Sequence, residues 1–149
     1  MRTLVGSAVI LVVLAASAAA AQTRAPALPM SAIKVESVAR GLNHPWGLQF
    51  LPDGRLIVTE RSGSIRIVTR SGQLSEPLAG VPKVDARGQG GLLDIALAPD
   101  FAGSSLVYFS YAEPRGGGKN GTSVARARLA LQGAGGRLED VRVIFRQQP

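Results

Sequence analysis

"LQFLPDGRLIVTE" (48–60) and "IALAPDFAGSSLVYFS" (95–110) are one pattern written twice: alternating apolar residues, Pro-Asp, a turn, then a second alternating run. Apolar residues at every second position predict half-buried β-strands, because successive side chains point to opposite faces. Proline presets φ for the turn, and the aspartate carboxylate can bond the backbone two residues on. Asp53 and Asp100 are therefore expected to stabilise their turns. The two Pro-Asp pairs, Pro52-Asp53 and Pro99-Asp100, are separated by a distance inside the roughly 40–50 residues of one four-stranded β-propeller blade.

The same period of two runs through the rest of the chain. Leu48 and Phe50 alternate with Gly47 and Gln49; Ile65 and Ile67 alternate with Ser64 and Arg66; Leu93, Ile95 and Leu97 alternate with Asp94, Ala96 and Ala98. Val107, Phe109 and Tyr111 follow, then Ala125, Ala127 and Leu129 against Arg126 and Arg128, and finally Val141, Val143 and Phe145. "PDG" (52–54), "RSGS" (61–64) and "KNG" (119–121) are expected turns. No amphipathic helix is expected after the N-terminal segment, so the fold class is all-β. A leading strand is expected around Lys34 to Val38. A ring of about 4–8 blades needs more chain than this, so about two blades of an incomplete ring are expected, with the chain an N-terminal piece of a longer protein.

The N-terminus reads differently. Arg2, the apolar stretch that follows and the small-residue run Ala19-Ala20-Ala21 before Gln22 predict a signal peptide over 1–21, with cleavage near Ala21 and export to the periplasm or beyond. Residues 22–33 read as a flexible lead-in and 34–149 as the propeller part. The chain has no cysteine, so an exported protein of this kind holds together by core packing rather than disulfides. Its formal net charge is +7, but Arg55, Arg61, Arg66, Arg70, Arg87, Arg126, Arg128 and Arg142 stand singly. Few aromatics lie between them to stack bases, so they read as solvated strand faces. Neither a nucleic-acid partner nor a membrane partner after signal cleavage is expected.

Chemistry-bearing motifs are few. "GGGKNGTS" (116–123) lacks the Ser or Thr that a phosphate loop places after its lysine, and reads as a hairpin loop. One histidine, His44, and no cysteine exclude an ordinary zinc site, and no nucleophile elbow is present. Glu60 with Arg61 is placed at a strand end where it could face a channel mouth, and Asp94 lies beside the stretch "DARGQGGLLD" (85–94). That stretch sets Gln89 among Gly88, Gly90 and Gly91. Glycines let backbone approach closely, and an amide both donates and accepts without adding charge.

"GLNHPWGLQFLPDGRLIVTERSGSIRIV", "GVPKVDARGQGGLLDIALAPDF" and "LVYFSYA" together resemble the start of the soluble PQQ-dependent sugar dehydrogenases, the glucose/sorbosone dehydrogenase family, closest in wording to its aldose sugar dehydrogenase branch. The resemblance runs from about Val38 to Phe145. It implies a six-bladed propeller binding pyrroloquinoline quinone (PQQ) and calcium, and oxidising the C1 hydroxyl of an aldose sugar to a lactone with hydride transfer to PQQ and electrons passed to an acceptor. Gln89 occupies the position of a glutamine near the cofactor. The family's catalytic histidine, the basic residues holding the PQQ carboxylates and the calcium ligands come beyond residue 149. No catalytic residue and no metal ligand is therefore assigned within this chain, and it is expected to be inactive alone. His44 does not match the catalytic motif and reads as structural or exposed. Two other readings stand beside this one: a non-catalytic NHL-like binding propeller, and a propeller lactonase, for which Glu60 would be the metal carboxylate.

Overall fold

The computed structural model describes residues 33–148 and divides the chain into two units, Met1–Val35 and Glu36–Pro149. The expected signal peptide and almost all of the lead-in lie outside the described residues. The second unit is built of strands in two antiparallel sheets. In the first, β1 (Pro45–Phe50), β2 (Leu56–Glu60) and β3 (Ser64–Val68) lie in the order β1-β2-β3. In the second, β4 (Leu92–Leu97), β5 (Leu106–Arg115), β6 (Lys119–Gln132) and β7 (Gly135–Arg146) lie in the order β4-β5-β6-β7. Consecutive strands pair by short connections, which is why the order in space is the order in sequence. The sheets are two successive blades of a β-propeller, part of its ring.

The repeat is structural. Pro52-Asp53 turns β1 into β2, with Leu51 N–H on Arg55 O at 2.8 Å and Gly54 N–H on Leu51 O at 2.9 Å. Pro99-Asp100 turns β4 into β5 through a single helical turn, α1 (Phe101–Ser104). Asp53 acts as expected, its Oδ1 accepting Arg55 N–H at 3.0 Å. Asp100 accepts the Ser104 hydroxyl at 3.1 Å instead of a backbone N–H.

The core lies between the sheets. Ile57, Ile65 and Ile67 of the first sheet and Leu92, Ile95, Val107, Phe109, Tyr111, Ala125 and Ala127 of the second are all buried in one cluster. The inner strands approach most tightly: a Cβ on Gly47 of β1 would fall 3.0 Å from Ile95 N of β4. Thr59 fixes that approach. Its hydroxyl donates to Leu93 O and accepts Gly47 N–H at 2.8 Å, so a buried polar group is satisfied where the blades meet.

Several expectations are corrected. Residues 34–38 form no strand. Leu48 and Phe50 do not face the core but are 46 % and 73 % exposed, because Gly47 takes the inward position. "KNG" (119–121) is not a turn: β6 starts at Lys119, and the tip is Gly116–Gly118, where Gly117 and Gly118 adopt φ of 68° and 72°. Phe145 does not continue the inward alternation of Val141 and Val143. Val124 pairs with Phe145 while Ala125 pairs with Val143, so a β-bulge inserts a residue and moves Phe145 to the outer face. The first blade has three strands rather than four. Residues 73–78 follow β3 with Ser75 N–H on Ile67 O and Leu78 N–H on Ile65 O, but Pro77 has no N–H, and the Ser75 hydroxyl accepts Ile67 N–H at 3.0 Å.

Candidate functional site

The strand directions bring one set of connections to the same end of the blades: 42–44 before β1, 61–63 between β2 and β3, 85–91 before β4, and 116–118 between β5 and β6. The connection 85–91 is the most constrained. Gly90 N–H closes a turn on Arg87 O at 2.9 Å. A Cβ at Gly90 would sit 2.3 Å from Asp85 O, closer than any real side chain tolerates, so glycine is required there by backbone on backbone. Ala112 N–H reaches Gly91 O at 2.8 Å and Asp85 N–H reaches Ala112 O at 2.9 Å, fastening both ends of the connection to β5. Gln89 stands exposed at the turn.

Asp85 anchors this loop to the next hairpin. Its buried carboxylate accepts Arg87 N–H at 3.1 Å, Arg87 Nε at 2.9 Å and Asn120 Nδ2 at 3.0 Å, and pairs with Arg87 Nη2. Arg87 Nη2 also donates to Gly118 O at 2.9 Å. Hydrogen bonds from Arg87, and then from Asn120, hold the Asp85 carboxyl well below the usual carboxylate range. The same pairing raises the already high Arg87. A charge-assisted network of this kind is short and directional, and it spans residues far apart in the chain.

Between the loop and the hairpin lies a cleft of about 340 Å³, lined by Arg87, Gln89, Gly90, Leu93, Ala112 and the start of β6 from Asn120 to Thr122. Among the described residues the Gln89 amide has no hydrogen-bond partner. An exposed amide on an immobilised turn beside a cleft of mixed polarity can donate and accept to a ligand. A second, largely apolar hollow of about 180 Å³ lies on the outer face of the second sheet against Ala96, Tyr108, Ser110 and Val124; it carries no comparable donor set.

The other sequence candidates fall outside the cleft. His44 is exposed, adopts φ of 50°, and its Nδ1 contacts Asn43 Oδ1 at 2.6 Å. Glu60 does not face a channel mouth: it is 2 % exposed, accepts Asn43 N–H at 2.7 Å and lies 3.7 Å from Arg66. Among the described residues this carboxylate is held as a structural pair. Asp94 is exposed, but its Oδ1 accepts Ile95 N–H at 2.8 Å, supporting the β4 irregularity rather than the Gln89 turn. Lys119 and Asn120 start β6 instead of forming a loop, and Asn120 joins the Asp85 network that the sequence reading missed. Among the described residues no group of three or more His, Cys, Asp or Glu side chains is placed to hold a metal.

Comparison with known proteins agrees with this geometry. The family described as Glucose / Sorbosone dehydrogenase matches residues 42–149. Aldose sugar dehydrogenase YliI of Escherichia coli K12 is 46% identical over 118 residues, covering 78% of this chain and 31% of that protein. Among solved structures, a glucose dehydrogenase superposes with a TM-score of 0.74 at 52% identity, over 78% of this chain and 34% of the other. The PQQ-bound aldose sugar dehydrogenase of Streptomyces coelicolor superposes with a TM-score of 0.67 at 35% identity, over 77% of this chain and 34% of the other. The chain thus spans about a third of the length of the relatives it matches. The repeat, the turn around Gln89 and the match from residue 42 onward meet in one conclusion: the chain belongs to the glucose/sorbosone dehydrogenase family.

Proposed function

We propose that this chain is the N-terminal part of an exported, PQQ-dependent aldose sugar dehydrogenase, and that its share of the site is Gln89. The full reaction is oxidation of the sugar C1 hydroxyl to a lactone, with electrons passed to an acceptor. The observation that carries the reading is the Gln89 turn. An amide without a partner is held at the mouth of a cleft beside Gly90 and Gly91, where a Cβ would meet backbone at 2.3 and 2.6 Å. The donor set fits a quinone in part, since Gln89 can bond a carbonyl oxygen, while the Arg87 charge is already paired with Asp85. When bound, the quinone supplies the two-electron acceptor. The chain's own residues orient it: the Asp85 network fixes the turn, and the turn presents the amide.

Calcium accompanies the quinone in this reading, with ligands outside the described residues, and no step is derived through it. Export follows from the signal peptide expected over 1–21, with the periplasm as the compartment. Proton abstraction from the sugar needs a base within hydrogen-bond reach. Beside Gln89 the described residues place none, and His44 lies outside the cleft with its Nδ1 on Asn43. The 149-residue chain is therefore expected to bind PQQ weakly and to show no sugar-dependent dye reduction. Titrating PQQ into the chain and into Gln89→Ala, followed by quinone fluorescence, tests this. A weakening of about three- to tenfold is expected for the loss of one hydrogen bond; equal affinity would remove Gln89 from the site.

A further inference from the structure

We propose that Arg61 is the positioning residue for Gln89, an inference that rests on reading Gln89 as the quinone contact. Arg61 follows β2 directly and is held by its own backbone on two sides. Its N–H donates to His44 O at 3.0 Å, and its carbonyl accepts Leu92 N–H at 3.0 Å. The aliphatic stem then lies against Gly91, where a Cβ would fall 2.4 Å from Arg61 Cγ. That leaves the guanidinium under the turn. Its Nη1 donates to Gly88 O at 2.7 Å and to Gly90 O at 3.3 Å, the two carbonyls that flank Gln89.

The consequence is specific to this turn. Gly88 and Gly90 have no side chains to pack, and their backbones are intrinsically free. The bond to Gly88 O fixes the peptide plane that enters Gln89, the bond to Gly90 O fixes the plane beyond Gly90, and the plane between them is held by Gly90 N–H on Arg87 O at 2.9 Å, so Arg61 secures the backbone from which the Gln89 side chain leaves. Arg61 forms no ion pair among the described residues; its bonds go to the backbone of this turn and its neighbours. A polar group fixed before its ligand arrives loses less freedom on binding. Arg61 touches no ligand in this account and acts through Gln89.

Amide hydrogen exchange on the 149-residue chain, read by NMR, tests the clamp without any cofactor. Arg61→Ala is expected to speed exchange at Gly90 by about tenfold or more, the scale for hydrogen bonds given by a charged donor. Exchange at Phe109 and Ala125 in the core should stay unchanged, and Arg61→Lys, which keeps a charge near the carbonyls, should fall between. Unchanged exchange at Gly90, or a rise shared equally by the core, would overturn the proposal. Titration with PQQ itself then separates the inference from the reading beneath it. Arg61→Ala and Gln89→Ala should each weaken binding about three- to tenfold, and the double variant should be no worse than Gln89→Ala alone. Full additivity would show that Arg61 does not act through Gln89. If Gly90 exchange rises in Arg61→Ala but PQQ affinity ignores both residues, the quinone reading fails and the clamp stands.

Discussion

The two ends of the blades are held by different means. At the Pro-Asp end the carboxylates bond within their own turns: Asp53 takes Arg55 two residues on, and Asp100 takes Ser104 four residues on. The longer bonds at this end go from guanidiniums to backbone carbonyls: Arg55 Nη1 to Gly133 O at 2.9 Å, Arg70 Nε to Asp53 O, and Arg128 Nη1 to Ser104 O at 3.2 Å. At the Gln89 end the carboxylates join segments distant in sequence. Asp85 bonds Asn120, Glu60 bonds Asn43, and Glu113 takes Arg146 Nε and Nη2 at 2.8 and 3.0 Å together with the Ser123 hydroxyl at 2.8 Å. A carboxylate whose own bonds close within its turn passes little of a change at that side chain to its neighbours. An end built from long-range polar bonds transmits a change in one segment to the next, and that is the end which holds a side chain in place for a ligand.

Alanine in place of glycine separates the two ends most strongly. Gly90→Ala forces a Cβ to 2.3 Å from Asp85 O and 3.0 Å from Arg87 O, where only backbone could yield. We expect a loss of about 3 kcal/mol in urea unfolding, the upper range for overpacking. Gly54→Ala meets the end of a movable side chain instead, Arg70 Nε at 2.7 Å, with φ of 81°. It should cost about 1 kcal/mol, mostly from the left-handed backbone. Equal losses at both positions would break the comparison.

These contrasts also explain what could be read from sequence. The Pro-Asp turns, the alternation of β2 to β6 and the repeat were legible because each depends on residues within a few positions of one another. Gln89 was legible as a candidate because its neighbours are glycines. The Asp85–Arg87–Asn120 network was not, since Asn120 stands 35 residues from Asp85 and "KNG" has the composition of a turn. The outward facing of Leu48 and Phe50 was hidden for a similar reason. Alternation tells which residues share a face, but which face is inward is decided by the second sheet, where Gly47 must make room for Ile95.

Asp85→Asn probes the polar network itself. It keeps the shape while replacing an acceptor of charged hydrogen bonds, and should speed exchange at Gly90 by about tenfold at neutral pH. Arg87, and then Asn120, hold the Asp85 carboxyl below its ordinary value of 3.8. A group depressed in this way stabilises the fold above its ordinary value, and the contribution is lost as pH falls below 3.8 toward the folded value. The gap between the protein and Asp85→Asn should therefore be full at neutral pH and close in acid. A gap that widened in acid would contradict the assignment.

Asp53→Asn is the smallest change and completes the comparison. The hydrogen bond from Arg55 depresses the Asp53 carboxyl in the same direction, so its stabilisation also belongs to pH above the ordinary carboxylate value. The Asp53 side chain is 46% exposed, however, whereas that of Asp85 is 6% exposed. Water reaches the Asp53 carboxylate more readily than that of Asp85, so Asp53→Asn should cost no more than about 0.5 kcal/mol. Salt distinguishes them further. At about 1 M salt the screening length falls to roughly 3 Å, which should erase the Asp53 effect and leave most of the Asp85 effect on Gly90 exchange. Were both effects to vanish together, the Asp85 network would be a surface ion pair like the other, and the Gln89 turn would owe its position to its glycines and to Arg61 alone.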